Sequence, residues 1–123
     1  MSLKNNEALL NRHATTLSSN IKTIRLGDMI NFPRKGSKIK VHYDAFILNT
    51  KQKLESSRDE SEPFEFMLGR DEVITAWEDV IVGMSIGQKV SFEVGVEHVF
   101  DSMAISNSGG DKVVFIIELL SFV

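Results

Sequence analysis

Hydrophobic and polar residues alternate along much of this chain, a pattern typical of strands that bury one face against a core. The longest alternating stretch is Ser37–Leu48, whose apolar members are Ile39, Val41, Tyr43 and Ala45. Charged or polar residues occupy the positions between them. This stretch predicts a long strand with one face in the core and the other in solvent.

Shorter stretches predict further strands, which start near Ile21 and run over Phe64–Leu68 and Val90–Val94. The last stretch, Val113–Val123, is apolar on both faces and predicts a strand in the centre of the sheet. These strands are separated by short polar connections rather than by helices, which favours an antiparallel arrangement.

The connections are rich in turn-forming residues. Asn49–Gln52 and Ser85–Gln88 predict turns, and Glu55–Glu62, with its serines and acids, predicts a loop or bulge. A long loop is predicted over Glu97–Asp111, which contains two consecutive glycines.

One segment changes period and predicts a short helix directly after the Phe64 strand. Asp71 is placed to cap this helix and Gly83 to follow its end. Its apolar residues have helical spacing and are Val73, Ile74, Trp77, Val80 and Ile81. Because strand and helix are so close in sequence, the helix must fold back against the sheet. The aromatic residues can then form a pocket with Trp77 as its floor, or they can simply fill the core.

The chain resembles the FKBP-type peptidyl-prolyl cis-trans isomerases, the immunophilins that bind tacrolimus and rapamycin. The resemblance is carried by Ile24–Asp28, Phe32–Phe46, Ser56–Gly69, Glu72–Glu78, Gly83–Val90 and Val113–Val123. It implies an α+β fold, a curved antiparallel half-barrel of five or six strands wrapped around one short helix.

The resemblance also divides the chain. Residues 21–123 correspond to the isomerase domain, and residues 1–20 form an N-terminal extension that is either flexible or a short helix. Within the extension, Leu9, Leu10 and Leu17 could form a weakly amphipathic turn or two.

The family's pocket residues carry over to six positions without a change of type. These positions are Tyr43, Phe64, Val73, Ile74, Trp77 and Phe115. The resemblance makes Trp77 the floor beneath a prolyl ring and the backbone N–H of Ile74 a donor to a ligand carbonyl. Tyr43 and Phe115 would form side walls.

Four other positions depart from the family pattern. Leu54 stands where the family usually has Phe, Glu55 where Asp is usual, and Glu60 where Arg is common. Phe100 replaces a Tyr, which removes a hydroxyl donor at a cost on the order of 1 kcal/mol in ligand binding. These changes predict weakened macrolide binding.

The loop over Asp101–Lys112 departs most from the family. It is slightly shorter than usual and lacks the family's proline-rich tip, although Met103 and Ile105 could supply an apolar lip to the pocket.

Such a pocket would isomerise X–Pro bonds without a nucleophile, a metal or a cofactor. The amide loses resonance as it twists, and an apolar site can lower that barrier by removing water and by shape. The resemblance therefore predicts an isomerase of modest activity. The alternative is a degenerate FKBP-fold module that binds proteins, as a scaffold or a chaperone, without turnover.

Composition and charge further restrict the classes of partner that the chain is expected to bind. A net charge of −3 argues against nucleic acid, and His42 and Asp44 lack a third ligand that would suggest a metal site. No apolar run approaches the about 20 residues needed to cross a bilayer, and no secretory signal is evident, so no membrane partner is expected. Proline-containing peptides or proteins are the expected partners of a monomer in the cytoplasm or nucleus.

Overall fold

A computed structural model describes residues 18–99 and 109–123. These residues form a six-stranded sheet, one α-helix and two short 3-10 helices, Ser57–Glu60 and Val96–His98. The strands are β1 (Ser18–Arg25), β2 (Lys38–Ile47), β3 (Lys53–Ser56), β4 (Phe64–Met67), β5 (Lys89–Gly95) and β6 (Lys112–Phe122). The helix, α1, is Thr75–Ile81.

The strand order is β1-β5-β6-β2-β3, and β4 also pairs with β2. All of these pairs are antiparallel. The predicted α+β class, with a six-stranded antiparallel sheet and one short helix, is confirmed. The prediction that the last strand is central is confirmed as well, because β6 lies between β5 and β2.

The core lies between one face of the sheet and α1. Along β2, every second residue from Ile39 to Ile47 is buried, as the alternation predicted. The helix contributes Ala76, Trp77, Val80 and Ile81 to the same hydrophobic cluster. We call this face of the sheet the inner face and the opposite one the outer face.

The outer face carries a charged network around Glu118. Its carboxylate binds the guanidinium groups of Arg25, from β1, and Arg58, from the first 3-10 helix, at 2.5 and 2.8 Å. Partial burial alone would raise the pKa of Glu118, but these hydrogen bonds and positive charges lower it below its ordinary value of 4.5. The network joins three elements across the sheet.

The helix begins later than the sequence predicted, and Asp71 does not cap it. Its N-cap is Ile74, in extended conformation, and no side chain caps the helix. Asp71 lies in the preceding turn with a positive φ of 59°. Val73 and Ile74 are buried at 1% and 2% exposure before the helix starts, because the extended segment that leads into α1 already packs in the core.

Two other boundaries differ from the predicted ones. β1 begins at Ser18 rather than near Ile21. The stretch predicted as a loop or bulge contains the end of β3 and a 3-10 helix, whose N-cap Ser56 accepts a hydrogen bond from the Arg58 backbone. Of the long loop predicted over Glu97–Asp111, residues 100–108 lie outside the described residues.

Within residues 18–99 and 109–123, no helix is long enough and apolar enough to cross a bilayer.

Candidate functional site

Five aromatic side chains meet on the inner face, with Trp77 at their centre. The indole centroid lies 4.9 Å from the ring of Tyr43, 5.5 Å from that of Phe115, and 6.1 Å from those of Phe64 and Phe66. The four rings stand at 61° to 86° to the indole plane, the edge-to-face geometry that aromatic pairs prefer. We call these five residues the aromatic cluster.

Strand register brings the cluster together. Ala45 is paired with Phe115 across β2 and β6, which places Tyr43 two residues away on the same face. Phe64 is paired with the buried Val41 on the other side of β2 and therefore faces inward as well. The rings thus come from three neighbouring strands, and α1 lays Trp77 across them.

One side-chain donor and one backbone donor at the cluster have no acceptor among the described residues. Trp77 is 4% exposed, and its buried Nε1–H makes no hydrogen bond there. The Ile74 N–H, three residues earlier, likewise donates to none of the described groups, whereas the Ile74 carbonyl accepts from Trp77 N at 3.0 Å. Apart from the Tyr43 hydroxyl, the rings around the indole are apolar, and the two donors belong to the helix and its N-cap.

Two acidic side chains fix the connection between β4 and α1. The Glu78 carboxylate, on a residue only 9% exposed, accepts a hydrogen bond of 2.7 Å from the Gly69 backbone N–H. Glu72 accepts one of 2.9 Å from Met67 N. Gly69 itself has a φ of +88°, which glycine adopts without strain. Together these contacts hold the turn that sends the helix back across the sheet.

A serine hydroxyl holds the strand segment that carries Tyr43. Ser57 Oγ accepts a hydrogen bond of 2.8 Å from Tyr43 N and lies 3.0 Å from His42 Nδ1. Ser57 belongs to the 3-10 helix after β3, so this bond ties that helix to the wall of the cluster. Sequence reasoning missed the roles of Ser57, Glu72 and Glu78, because hydrophobic periodicity says nothing about buried polar contacts.

Of the sequence-predicted site residues, the structure brings together Tyr43, Phe64, Val73, Ile74, Trp77 and Phe115, which all belong to or pack on one hydrophobic cluster. Phe66 is 3% exposed and also touches the indole.

Leu54 and Glu55 lie at the edge of the site rather than within the aromatic cluster. Glu55 is exposed and is paired with Ala45, whose side chain is on the inner face, so the register places Glu55 on that face too. Leu54 falls at the register shift between β2 and β3 and is 38% exposed. Glu60 ends the 3-10 helix that follows.

The remaining predicted residues, Phe100, Met103 and Ile105, lie outside the described residues. Within the described ranges, no three acidic or histidine side chains are grouped so that they could hold a metal ion.

Comparison with known proteins assigns the chain to a family. Residues 31–120 match the family model of the FKBP-type peptidyl-prolyl cis-trans isomerases, which covers more than half of the chain. The chain therefore belongs to this family. It is similar to the peptidyl-prolyl cis-trans isomerase FKBP1A of Xenopus laevis, with 46% identity over 69 residues. That match spans 56% of this chain and 63% of the relative's length.

Proposed function

We propose that this chain catalyses the cis-trans isomerisation of X–Pro bonds, with the prolyl ring bound against the aromatic cluster. The observation that supports this most is the indole of Trp77 surrounded by the rings of Tyr43, Phe64, Phe66 and Phe115 at 4.9 to 6.1 Å. The membership of the chain in an isomerase family supports the same reaction.

Isomerisation of an X–Pro bond does not require an ionisable group. The barrier to rotation about the amide is about 18–20 kcal/mol, because the planar form is stabilised by resonance. Water stabilises that charge-separated planar form, so an apolar surface that excludes water from the carbonyl favours the twisted form. The cluster offers such a surface, since its nearest buried carboxylate, on Glu78, is occupied by the Gly69 N–H.

The Ile74 N–H supplies the polar contact that orients the substrate. Since it has no acceptor among the described residues, it can donate to a substrate carbonyl without breaking a bond within them. Binding then replaces no internal hydrogen bond, which keeps the cost of docking low.

The substrates in this proposal are proline-containing peptides or proteins, and tacrolimus-type macrolides are ligands of the same site. Leu54 and Glu55 border the site from the β3 side. The exposed position of Leu54 provides a smaller wall than an aromatic ring would, which supports weaker macrolide binding than a phenylalanine would give.

The experiment is an isomerisation assay on a Xaa-Leu-Pro-Phe peptide with the full chain and two matched variants. Trp77→Leu removes the centre of the cluster, and Phe92→Leu removes a buried aromatic ring that contacts Phe115 but not Trp77. Both variants lose a core ring and are expected to lose stability. We expect Trp77→Leu to lower kcat/KM at least tenfold, and Phe92→Leu to keep it within about twofold once the folded fraction is matched by circular dichroism.

A native chain that is folded yet gives only the uncatalysed rate would rule out the isomerase and leave the non-enzymatic scaffold or chaperone. Equal losses in the two variants would mean that stability, rather than the cluster, limits the rate.

A further inference from the structure

An exposed apolar segment follows β1 and has no part in the aromatic cluster. In Leu26–Phe32, which we call the apolar loop, Leu26 is 70% exposed, Met29 59% and Ile30 78%. Monomeric proteins rarely present several large aliphatic side chains in one short segment without a use for them.

The apolar loop is held firmly against the turn that precedes β5. Asp28 N donates to Ile86 O at 2.9 Å, and Ile86 N donates back to Asn31 O at 3.1 Å. Met29 N donates to Ser85 Oγ at 3.0 Å. Two backbone bonds and one side-chain bond thus fix the middle of the loop.

Asp28 also organises the loop from within. Its carboxylate accepts hydrogen bonds of 2.9 Å from the backbone N–H groups of Ile30 and Asn31. The bond from Asn31, followed by that from Ile30, lowers the pKa of Asp28 below 3.8. Its negative charge therefore stays engaged with the loop's own amides.

Gly27 packs directly against Ser85 and Ile86, with no room for a side chain. A Cβ there would overlap the hydroxyl and carbonyl oxygens of Ser85 and lie 2.7 Å from Ile86 O. On this closely packed backbone the side chains of Leu26, Met29 and Ile30 are largely exposed, and the Met29 sulfur also lies 3.9 Å from Ser85 Oγ.

Lysines and arginines are frequent in the sequence on both sides of this loop. Residues 21–40 contain six of the chain's 14 lysines and arginines but one of its 17 acids, although the whole chain has a net charge of −3. Lys22, Arg34 and Lys35 are exposed and form no ion pair with the described residues. Three exposed cations therefore flank the apolar loop in sequence.

We propose that the apolar loop inserts into the interface of an anionic membrane, with the flanking cations on the lipid headgroups. Aliphatic side chains that project from a fixed loop need no complementary groove, whereas a protein partner would. Peripheral membrane binding combines buried apolar area with attraction to anionic lipid. The basic surroundings of the loop match that second requirement, in a chain that is otherwise acidic.

The proposal revises the sequence-based expectation of no membrane partner. That expectation rested on the lack of an apolar run long enough to cross a bilayer, and a loop that lies in the interface needs no such run.

The first test is co-sedimentation of the full chain with vesicles at low ionic strength. Vesicles of phosphatidylcholine alone are compared with vesicles that also contain about 30% phosphatidylserine, in the range of an anionic leaflet. We expect binding to the anionic vesicles and little to the neutral ones. Leu26→Ser/Ile30→Ser should weaken binding at least tenfold, and Lys22→Gln about fivefold.

Two control variants lie at the other edge of the sheet, in the β2–β3 hairpin. Leu54→Ser removes an exposed leucine and Lys51→Gln an exposed lysine. Neither should change vesicle binding by more than about twofold. Equal losses in the control and loop variants would show non-specific attraction and overturn the proposal.

Insertion itself is tested by placing an indole in the loop. In Ile30→Trp, brominated lipid should quench the added fluorescence, whereas in Lys51→Trp it should not. Absence of quenching in Ile30→Trp, or no vesicle binding by the native chain, overturns the proposal.

Self-association of the chain is measured by sedimentation velocity. If the native chain self-associates, Leu26→Ser/Ile30→Ser abolishes this association and no vesicle binding is seen, the loop is a contact between two copies and the membrane proposal is overturned.

Discussion

Trp77 shows how one residue can serve both the core and the proposed site. Its ring touches the other four members of the aromatic cluster, yet its Nε1–H has no acceptor among the described residues. A residue selected only to fill a core would carry no such unpaired polar atom, since leaving one buried costs about 1–3 kcal/mol. An indole is, however, the largest flat surface that a side chain offers to a prolyl ring.

Macrolide affinity should respond to the two positions where the resemblance implies an altered pocket. Phe100→Tyr restores a hydroxyl donor and is expected to tighten tacrolimus binding about fivefold, and Leu54→Phe should tighten it further by enlarging a wall. The measurement is a titration of tacrolimus followed by Trp77 fluorescence. Phe122→Tyr, which adds a hydroxyl to a half-buried ring on β6, is the control. No gain from either pocket variant would argue against the assignment of these positions to the site.

Gly27 should be among the least replaceable residues. Gly27→Ala places a Cβ against the backbone oxygens of Ser85 and Ile86, at 2.8 and 2.7 Å, and should destabilise the fold by about 1–3 kcal/mol. Gly83→Ala is the matched control, because the nearest atom to its Cβ is Val80 O at 3.6 Å. That change should be neutral or stabilise by about 0.4–1 kcal/mol. Urea denaturation measures both, and equal effects would contradict the packing described here.

At the level of elements, the sequence predicted strands better than it predicted the segment that leads into the helix. The alternation along β2 and the two apolar faces of β6 follow directly from burial. The pair Val73 and Ile74 fits the first turn of a helix as well as an extended segment, so periodicity alone could not decide between them. Tertiary packing made the choice, since both side chains are buried ahead of Thr75.

The cluster residues could be predicted for a similar reason. Large aromatic residues at strand and helix positions are usually buried, and the resemblance implied their roles. The contacts that hold them in place could not be predicted, because Ser57 and Glu78 are polar residues whose partners are distant backbone amides.

The turn between β4 and α1 should depend on Glu78. Glu78→Ala leaves the Gly69 N–H without its charged acceptor and should lower the free energy of unfolding by about 2 kcal/mol. It should also lower isomerase activity per folded molecule, because the adjacent Trp77 loses its fixed position. Glu72→Ala removes a comparable bond from an exposed residue and is expected to cost about 0.5–1 kcal/mol. Similar costs for the two variants, measured by urea denaturation, would show that burial of Glu78 is unimportant.

On the scale of the whole molecule, charge is unevenly distributed over the fold. The exposed Lys22, Arg34 and Lys35 flank the apolar loop in sequence, whereas the carboxylate of Glu118 joins β1, β6 and the first 3-10 helix on the outer face. Electrostatics therefore contributes to the assembly of the sheet and, in our proposal, to its orientation on a membrane.

Stability should fall in acid partly through Glu118. Its folded-state pKa lies below the ordinary 4.5, so its contribution is complete above that pH and is lost as the pH falls through the folded value. We expect the free energy of unfolding, from urea titrations, to decrease below about pH 4.5. In Glu118→Gln this decrease should be shallower and the stability at neutral pH lower. Glu62→Gln, an exposed acid without an ion pair among the described residues, should behave like the native chain.

The central position of β6 has a consequence for synthesis on the ribosome. Until Lys112–Phe122 has left the exit tunnel, β1 and β5 can form one small sheet and β2, β3 and β4 another, because the described strand pairs join these two groups only through β6. A nascent chain should consequently remain protease-sensitive until almost its last described residue is released. A reporter fused behind Val123 would need a spacer long enough to let that strand slide into place.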